Sequence, residues 1–359
     1  MAHAAPLPRV AILGIGSVGG IIAAALESAQ RSVVTLVARG KCLDVLRTKG
    51  LNVKTFEGEH FQFDFDGGRR VWAMDDVTAH DTMRHQDFLL VATKAHQLTS
   101  VLGAFPRLVG PQTTIVPCTN GLPFWFHHKR LASTDPDGRL AHEINTDQVL
   151  GCVGMISGGV LGEYERWESH WPSEKNTLLL GEPGTADYII KKESDAANIL
   201  PSPSRASRLA ALFEGSDVRV GVSETEHIRD RIFDKILINC SVNSIGALTG
   251  ADIGQTCLEG SSSESLLRHL VAEAIAVAAA LDPPLALEHT AESILAHYRG
   301  TYGLRSSMLQ DVSRGRPTEK NEIVRSVVEL GAAHGVATPR LEMAADLLDT
   351  VERVGGSLL

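Results

Sequence analysis

Aromatic side chains are scarce in this chain, 5% of 359 residues, and positive charge is in deficit, with 34 Lys and Arg against 43 Asp and Glu and a formal net charge of −9. A base-stacking platform needs the first and a phosphate backbone attracts the second, so nucleic-acid binding is not expected. Cysteines number five, Cys42, Cys118, Cys152, Cys240 and Cys257, with no C-x-x-C pair among them. An odd, widely spaced set reads as free thiols in a reducing compartment and gives no support to a metal site. The N-terminus lacks the basic-then-apolar plan of a secretory signal, and the longest apolar stretch, 271–287, is interrupted by Glu273, Asp282 and the pair Pro283-Pro284. No membrane span is expected, and the reading is a cytoplasmic protein. The length exceeds one typical domain, so two domains with separate cores are expected.

What is present begins near residue 10. The apolar run Val10-Ala11-Ile12-Leu13 leads into Gly14-Ile15-Gly16-Ser17-Val18-Gly19, and a stretch rich in alanine follows. The strand–glycine–helix order is that of a dinucleotide-binding turn. Gly14 and Gly16 permit the tight turn and let backbone amides of Ser17 and Val18 approach a pyrophosphate. Gly19 lets the helix pack closely on the sheet, and the helix N-terminus favours the anion. About twenty residues past such glycines, a fold selective for NAD places a carboxylate on the ribose 2′-hydroxyl. Here the strand 32–38 ends at Arg39, with Lys41 beyond it and no acidic residue before Asp44. A guanidinium fork suits a 2′-phosphate, so NADPH is the expected cofactor; taken alone, Arg39 also reads as a solvated loop cation.

Further along, alternation over 60–65 suits a half-buried strand, and the runs 88–93 and 113–118 suit buried parallel strands. They end at Lys94 and at Asn120-Gly121, on the edge where open α/β sheets bind ligands. Residues 133–147 read as a surface insertion, 149–157 and 177–180 as further strands, and 193–207 as a loop before a helix. From about Ser223 helical periodicities take over, at 224–248, 263–281, 286–298, 317–334 and 339–354. The expected architecture is an α/β Rossmann-type domain with a parallel sheet over 1–222 and an all-helical domain over 223–359.

The first of these helices carries Lys235, Asn239 and Asn243 at four-residue steps. Each step drifts only ~40° around an α-helix, so the three form one polar stripe in an apolar segment. Such a stripe either meets a ligand or is buried and satisfied by hydrogen bonds. A second polar cluster, Ser306-Ser307-Met308-Leu309-Gln310-Asp311, precedes Thr318-Glu319.

Taken together, the glycine loop with Arg39, Lys94, Asn120-Gly121, the Lys235–Asn243 segment and the 306–311 string with Thr318-Glu319 resemble the ketopantoate reductase (2-dehydropantoate 2-reductase) family. The resemblance implies an N-terminal Rossmann domain, a helical C-terminal domain of the 6-phosphogluconate dehydrogenase type, and a cleft between them for NADPH and a small-molecule 2-oxo acid. It implies a role in pantothenate biosynthesis and leaves homodimerisation open. Carried over by position, Lys235 resembles the catalytic lysine, which stabilises and protonates the carbonyl oxygen as hydride arrives. Glu319 resembles the acidic partner that bonds the substrate hydroxyl. Ser307 resembles the ligand of the substrate carboxylate, Asn120, Asn239 and Asn243 resemble substrate contacts, and Asn120 and Lys94 resemble residues on the cofactor side.

Two departures bear on substrate choice. Leu304 stands where well-known members have a substrate-binding asparagine, and 248–253 contain no later asparagine beyond Asn243. Fewer polar groups favour a less polar, branched 2-oxo acid such as 2-ketoisovalerate. Other readings are an opine- or 6-phosphogluconate-type dehydrogenase, which need not retain the 306–311 string, and a non-catalytic NADPH sensor, which needs only the glycine loop.

Overall fold

The apolar run 10–13 is fully buried, as a strand covered on both faces must be. It forms β1 (Arg9–Leu13) in a computed structural model that describes residues 6–79, 84–183 and 203–354. β1 is the middle strand of five. β2 (Val33–Ala38) and β5 (Val71–Ala73) lie on one side of it, and β6 (Phe88–Val91) and β7 (Thr114–Pro117) on the other, in the order β5-β2-β1-β6-β7. Every pairing in this sheet is parallel. The register Leu13↔Val37 and Leu13↔Val91 brings the strand ends level, so the turns after β1, β2 and β6 emerge at one edge.

Two smaller sheets complete this unit. β3 (Leu51–Lys54), β4 (His60–Phe63), β9 (Gly158–Leu161) and β10 (Arg166–Ser169) run in the order β4-β3-β10-β9. β8 (Gly151–Met155), β11 (Thr177–Gly181) and β12 (Gly221–Glu224) run in the order β12-β11-β8. Helix α1 (Ser17–Ala29) packs its buried residues Ile21, Ile22 and Leu26 into a core shared with Ile12, Leu36, Phe88 and Trp167. Each such side chain contributes about 1.5–3 kcal/mol on burial.

The described residues divide into two compact units, one of 6–119, 142–183 and 203–228, the other of 120–141 and 229–354. The expected boundary at 222/223 is therefore drawn differently. Residues 120–141 pack with the helical unit, and β12 carries the first unit past 222. The stretch 133–147, read as a surface insertion, contains the buried Asp135, whose carboxylate accepts the Leu140 and Ala141 amides and starts the helix Arg139–Glu143. The part of the expected loop over 193–202 lies outside the described residues.

Helices make up the second unit. Ile228–Ile238 continues through a π-helical turn at Asn239–Asn243 into Ser244–Thr249. Ser262–Ala279, Ala291–Tyr298 and Ser307–Ser313 follow, then a second π turn at Asn321–Arg325, Ser326–Ala333 and Pro339–Val354. The wider turns have local support, because the Ser241 hydroxyl bonds the Leu237 carbonyl at 2.5 Å and the Ser326 hydroxyl bonds the Glu322 carbonyl at 2.7 Å. Isolated π turns within α-helices occur frequently at functional sites. Among the described residues no helix is long and apolar enough to cross a membrane.

Candidate active site

In the first unit the glycine loop has the conformation its sequence demands. Gly14 has φ +88°, and a side chain there would meet Thr93 Cγ2 at 2.7 Å. A Cβ on Gly19 would run into the Gly14 carbonyl, whereas one on Gly16 would meet nothing within 4 Å. Gly19 is thus required for packing, and Gly16 borders open space in which a ligand can approach the backbone. Helix α1 begins at Ser17 and Val18 with no side chain capping its first amides. Those amides remain donors for an anion, as a pyrophosphate site requires. Thr93 Oγ1 is buried beside Gly14 without a hydrogen-bond partner among the described residues. These features fit a dinucleotide.

Trp167, from β10, holds the loop from behind. Its indole N–H reaches the Gly16 carbonyl at 3.1 Å and the Ile15 carbonyl at 3.3 Å, while its ring fills the space over Gly20. No local signal points to this residue, which lies 151 positions from Gly16.

Arg39 follows β2, is exposed, and has no acidic partner among the described residues. Lys41, two residues beyond Arg39, pairs with Glu163 at 3.4 Å on the surface. Lys94 is half-buried just beyond β6.

In the second unit three distant residues form one hydrogen-bonded line. Lys235 Nζ donates to Asn120 Oδ1 at 2.9 Å, and Asn120 Nδ2 donates to Glu319 Oε2 at 3.0 Å. Gly121 makes this line possible. With φ +89°, it lies so close to Glu322 that an added Cβ would meet the Glu322 Cβ at 2.5 Å and its carbonyl oxygen at 2.6 Å. The Leu122 amide donates to that same carbonyl at 2.7 Å. The 120–122 loop is thereby laid against the turn that follows Glu319. Asn120, expected among both the substrate and the cofactor contacts, bridges a lysine and a carboxylate with its side chain.

One turn beyond Lys235 the rest of the polar stripe is buried. Asn243 Nδ2 donates to Asn239 Oδ1 at 2.9 Å. A turn closed by i→i+5 bonds holds more residues than an α turn, which takes back part of the drift and brings Asn243 toward the line of Lys235. Asp234, next to Lys235, is buried and accepts the amides of Glu288 and His289 at 2.9 and 3.0 Å and the Arg231 guanidinium at 3.0 Å. Burial outweighs these donors and raises its carboxyl above the usual range. In the Ser307–Ser313 helix it is Ser306 whose hydroxyl caps the Leu309 amide, and Ser307 is exposed at the first helical position. Leu304 is half-buried and its carbonyl accepts the Ile253 amide at 3.0 Å.

Charge near Glu319 is dense. Glu319 and Glu322 are both buried, and burial pushes the Glu322 carboxyl up to about 7. Glu322 Oε2 has no hydrogen-bond partner among the described residues. On either side of Glu319, Glu352 accepts the Thr318 amide at 2.9 Å and the Thr318 hydroxyl at 2.5 Å, and it pairs with Lys320. Glu322 and Glu352 were not singled out from the sequence, because a Glu on a predicted helix ordinarily reads as a solvated face.

Two family models match this chain, "Ketopantoate reductase PanE/ApbA" over residues 10–170 and "Ketopantoate reductase PanE/ApbA C terminal" over 227–352. A crystal structure of a candidate ketopantoate reductase from Ralstonia solanacearum is 30% identical, covers 98% of this chain and 99% of its own, and superposes with a TM-score of 0.80. The chain belongs to the ketopantoate reductase family. Membership makes it an oxidoreductase. The 2-dehydropantoate 2-reductase of Mesorhizobium japonicum is 28% identical over 353 residues, 95% of this chain and 96% of that protein. A ternary structure of D-mandelate dehydrogenase with NADH and anilino(oxo)acetate, at 18% identity, shares the fold over 96% of this chain and 99% of its own, with a TM-score of 0.74.

Proposed function

We propose that this chain reduces a 2-oxo acid to the 2-hydroxy acid with NADPH, and that Lys235 is the general acid. The observation that carries the proposal is the hydrogen-bonded line from Lys235 through Asn120 to Glu319. A bound nicotinamide supplies hydride to the carbonyl carbon. Charge then develops on the carbonyl oxygen, and an ammonium oriented toward that atom stabilises it and donates a proton. An ammonium has three N–H donors; one is fixed on Asn120 Oδ1, so the group is oriented before substrate arrives. The amide of Asn120 is fixed in turn by the Glu319 carboxylate, which balances the positive charge at the far end of the line. Glu319 also serves the hydroxyl of the substrate, Ser307 its carboxylate, and Asn239 and Asn243 its polar flank.

Gly14, Gly16, Ser17, Val18 and Gly19 hold the pyrophosphate, Lys94 lies on the coenzyme side, and Arg39 selects the 2′-phosphate. The exposed, acid-free setting of Arg39 supports NADPH over NADH. Leu304 supports a preference for a branched, less polar acid. Rates of NADPH oxidation with ketopantoate and 2-ketoisovalerate, for wild type and Lys235→Ala, test both parts. Turnover that survives in the variant removes Lys235 from the chemistry, and a preference of about tenfold or more for ketopantoate in kcat/KM removes the less polar substrate.

A further inference from the structure

The five cysteines do not share one environment. Burial pushes the thiols of Cys42 and Cys240 up to about 12 and that of Cys257 up to about 11. At such values almost no thiolate forms near neutrality, and these three are poor nucleophiles. Cys42 and Cys240 each donate instead to a backbone carbonyl, of Ile15 and Leu237. Cys118 likewise donates to a backbone carbonyl, that of Val116 at 3.6 Å, but it and Cys152 differ from these three in having each other as neighbours. The Cys152 thiol donates to the Cys118 sulfur at 4.0 Å.

The sheet explains why they meet. Ile115 and Val149 form a parallel bridge, and the Leu150 amide donates to the Ile115 carbonyl at 2.8 Å. Three residues further along each chain, Cys118 and Cys152 come level. Neighbouring strands lie about 4.8 Å apart, within the range of Cα separations that a disulfide spans. Cys118 is half-buried just past β7, and Cys152 is buried within β8. One thiol is therefore reachable by a small oxidant, and the second waits behind it. This is the arrangement of an attacking and a resolving cysteine.

We propose that Cys118 and Cys152 form a dithiol site that a hydroperoxide closes to a disulfide, restraining the chain that leads into Asn120. In the first step the Cys118 sulfur attacks the terminal peroxide oxygen. An S–O bond forms as the O–O bond breaks, the departing oxygen takes the Cys118 thiol proton and leaves as an alcohol or water, and Cys118 becomes a sulfenic acid. In the second, the Cys152 sulfur attacks that sulfur, the S–O bond breaks, and water departs with the proton of the Cys152 thiol. Two thiols are oxidised and one hydroperoxide is reduced. Closure draws the sulfurs from 4.0 Å to about 2.05 Å at a position two residues before Asn120. Displacement of about 1 Å in a positioned group lowers turnover by up to 10²-fold. This consequence rests on the reading that Asn120 orients Lys235.

The test treats the full chain with hydrogen peroxide or tert-butyl hydroperoxide, counts alkylatable thiols after denaturation, and maps linked peptides by mass. NADPH oxidation with a 2-oxo acid is followed before and after dithiothreitol. The expected result is loss of two of the five thiols, a peptide linking Cys118 to Cys152, and a fall in turnover of about tenfold or more that dithiothreitol reverses. Cys118→Ser and Cys152→Ser each abolish both the linked peptide and the reversible loss. The proposal is overturned by five thiols that stay reactive, by a linkage elsewhere, by irreversible oxidation of one cysteine alone, or by a 118–152 linkage that leaves turnover unchanged. A reduced chain with no turnover on any 2-oxo acid overturns the functional reading instead, and the thiol count and linked peptide still decide the dithiol.

Discussion

The two units carry their candidate machinery in opposite ways. In the first, the candidate pyrophosphate site lies within the six positions from Gly14 to Gly19, and the backbone itself offers the donors. In the second, Asn120 lies 115 positions from Lys235 and 199 from Glu319, and the donors and acceptors are side chains. A backbone site needs glycine so that nothing stands in the way. A side-chain site needs long-range packing to hold each group at hydrogen-bond distance. The two should therefore fail differently, one by losing the coenzyme and the other by losing chemistry.

The largest separation is expected at Lys235. Lys235→Ala should lower kcat by roughly 10²–10⁴-fold, the usual worth of a positioned acid, and leave the Kd for NADPH unchanged when binding is followed by nicotinamide fluorescence. A parallel loss of coenzyme affinity would mean that the lysine belongs to the first kind of site.

Alanine in place of two glycines sharpens the contrast, because the chemical change is the same. Gly19→Ala places a methyl against the Gly14 carbonyl, so coenzyme binding and the melting temperature should both fall. Gly121→Ala combines positive φ, a strain of about 1–3 kcal/mol, with collision against Glu322. It should move Asn120 and lower kcat by about tenfold or more while the NADPH Kd holds. Equal effects of the two variants on coenzyme binding would erase the distinction.

The same difference decides what the sequence revealed. The strands at Phe88–Val91 and Thr114–Pro117 are uninterrupted apolar runs, and their period and length speak for them. The strands Gly158–Leu161 and Arg166–Ser169 were not anticipated; they are short, partly exposed and paired mainly with each other. Trp167 went with them, although it braces the glycine loop. The stripe of Lys235, Asn239 and Asn243 was legible because a helix has a fixed period. Its link to Asn120 and Glu319 was not, since spacing says nothing about partners more than a hundred positions away, and only the family resemblance joined them. Asp135 escaped for another reason. Its partners are backbone amides, which leave no mark in the sequence, so a buried cap read as surface.

Arg39 tests the local site from its outer end. A charge-assisted contact to a phosphate contributes about 1.5–3 kcal/mol, so Arg39→Ala should raise the KM for NADPH by about 10- to 100-fold and leave that for NADH unchanged. An equal rise for both coenzymes would show that the guanidinium does not read the 2′-phosphate.

The smallest effect on turnover, and one confined to the side-chain site, is expected at Glu322. Its carboxyl is buried, one oxygen lacks a partner among the described residues, and its pKa is pushed up to about 7 in the folded chain. An unfolded glutamate ionises near 4.3. Below that value both states are protonated and the residue leaves stability untouched. Between there and about 7 the unfolded chain releases a proton that the folded chain keeps, so stability falls as pH rises, and above 7 the loss is constant. Glu322→Gln keeps the shape and removes the titration. The variant should match wild type in unfolding free energy near pH 4 and exceed it at pH 8, by no more than about 4 kcal/mol, as denaturant titration at the two pH values would show. A difference that stays constant across this range would mean that Glu322 is ionised in the fold, with a counter-charge beside it, and that the carboxylate pair around Glu319 is organised otherwise.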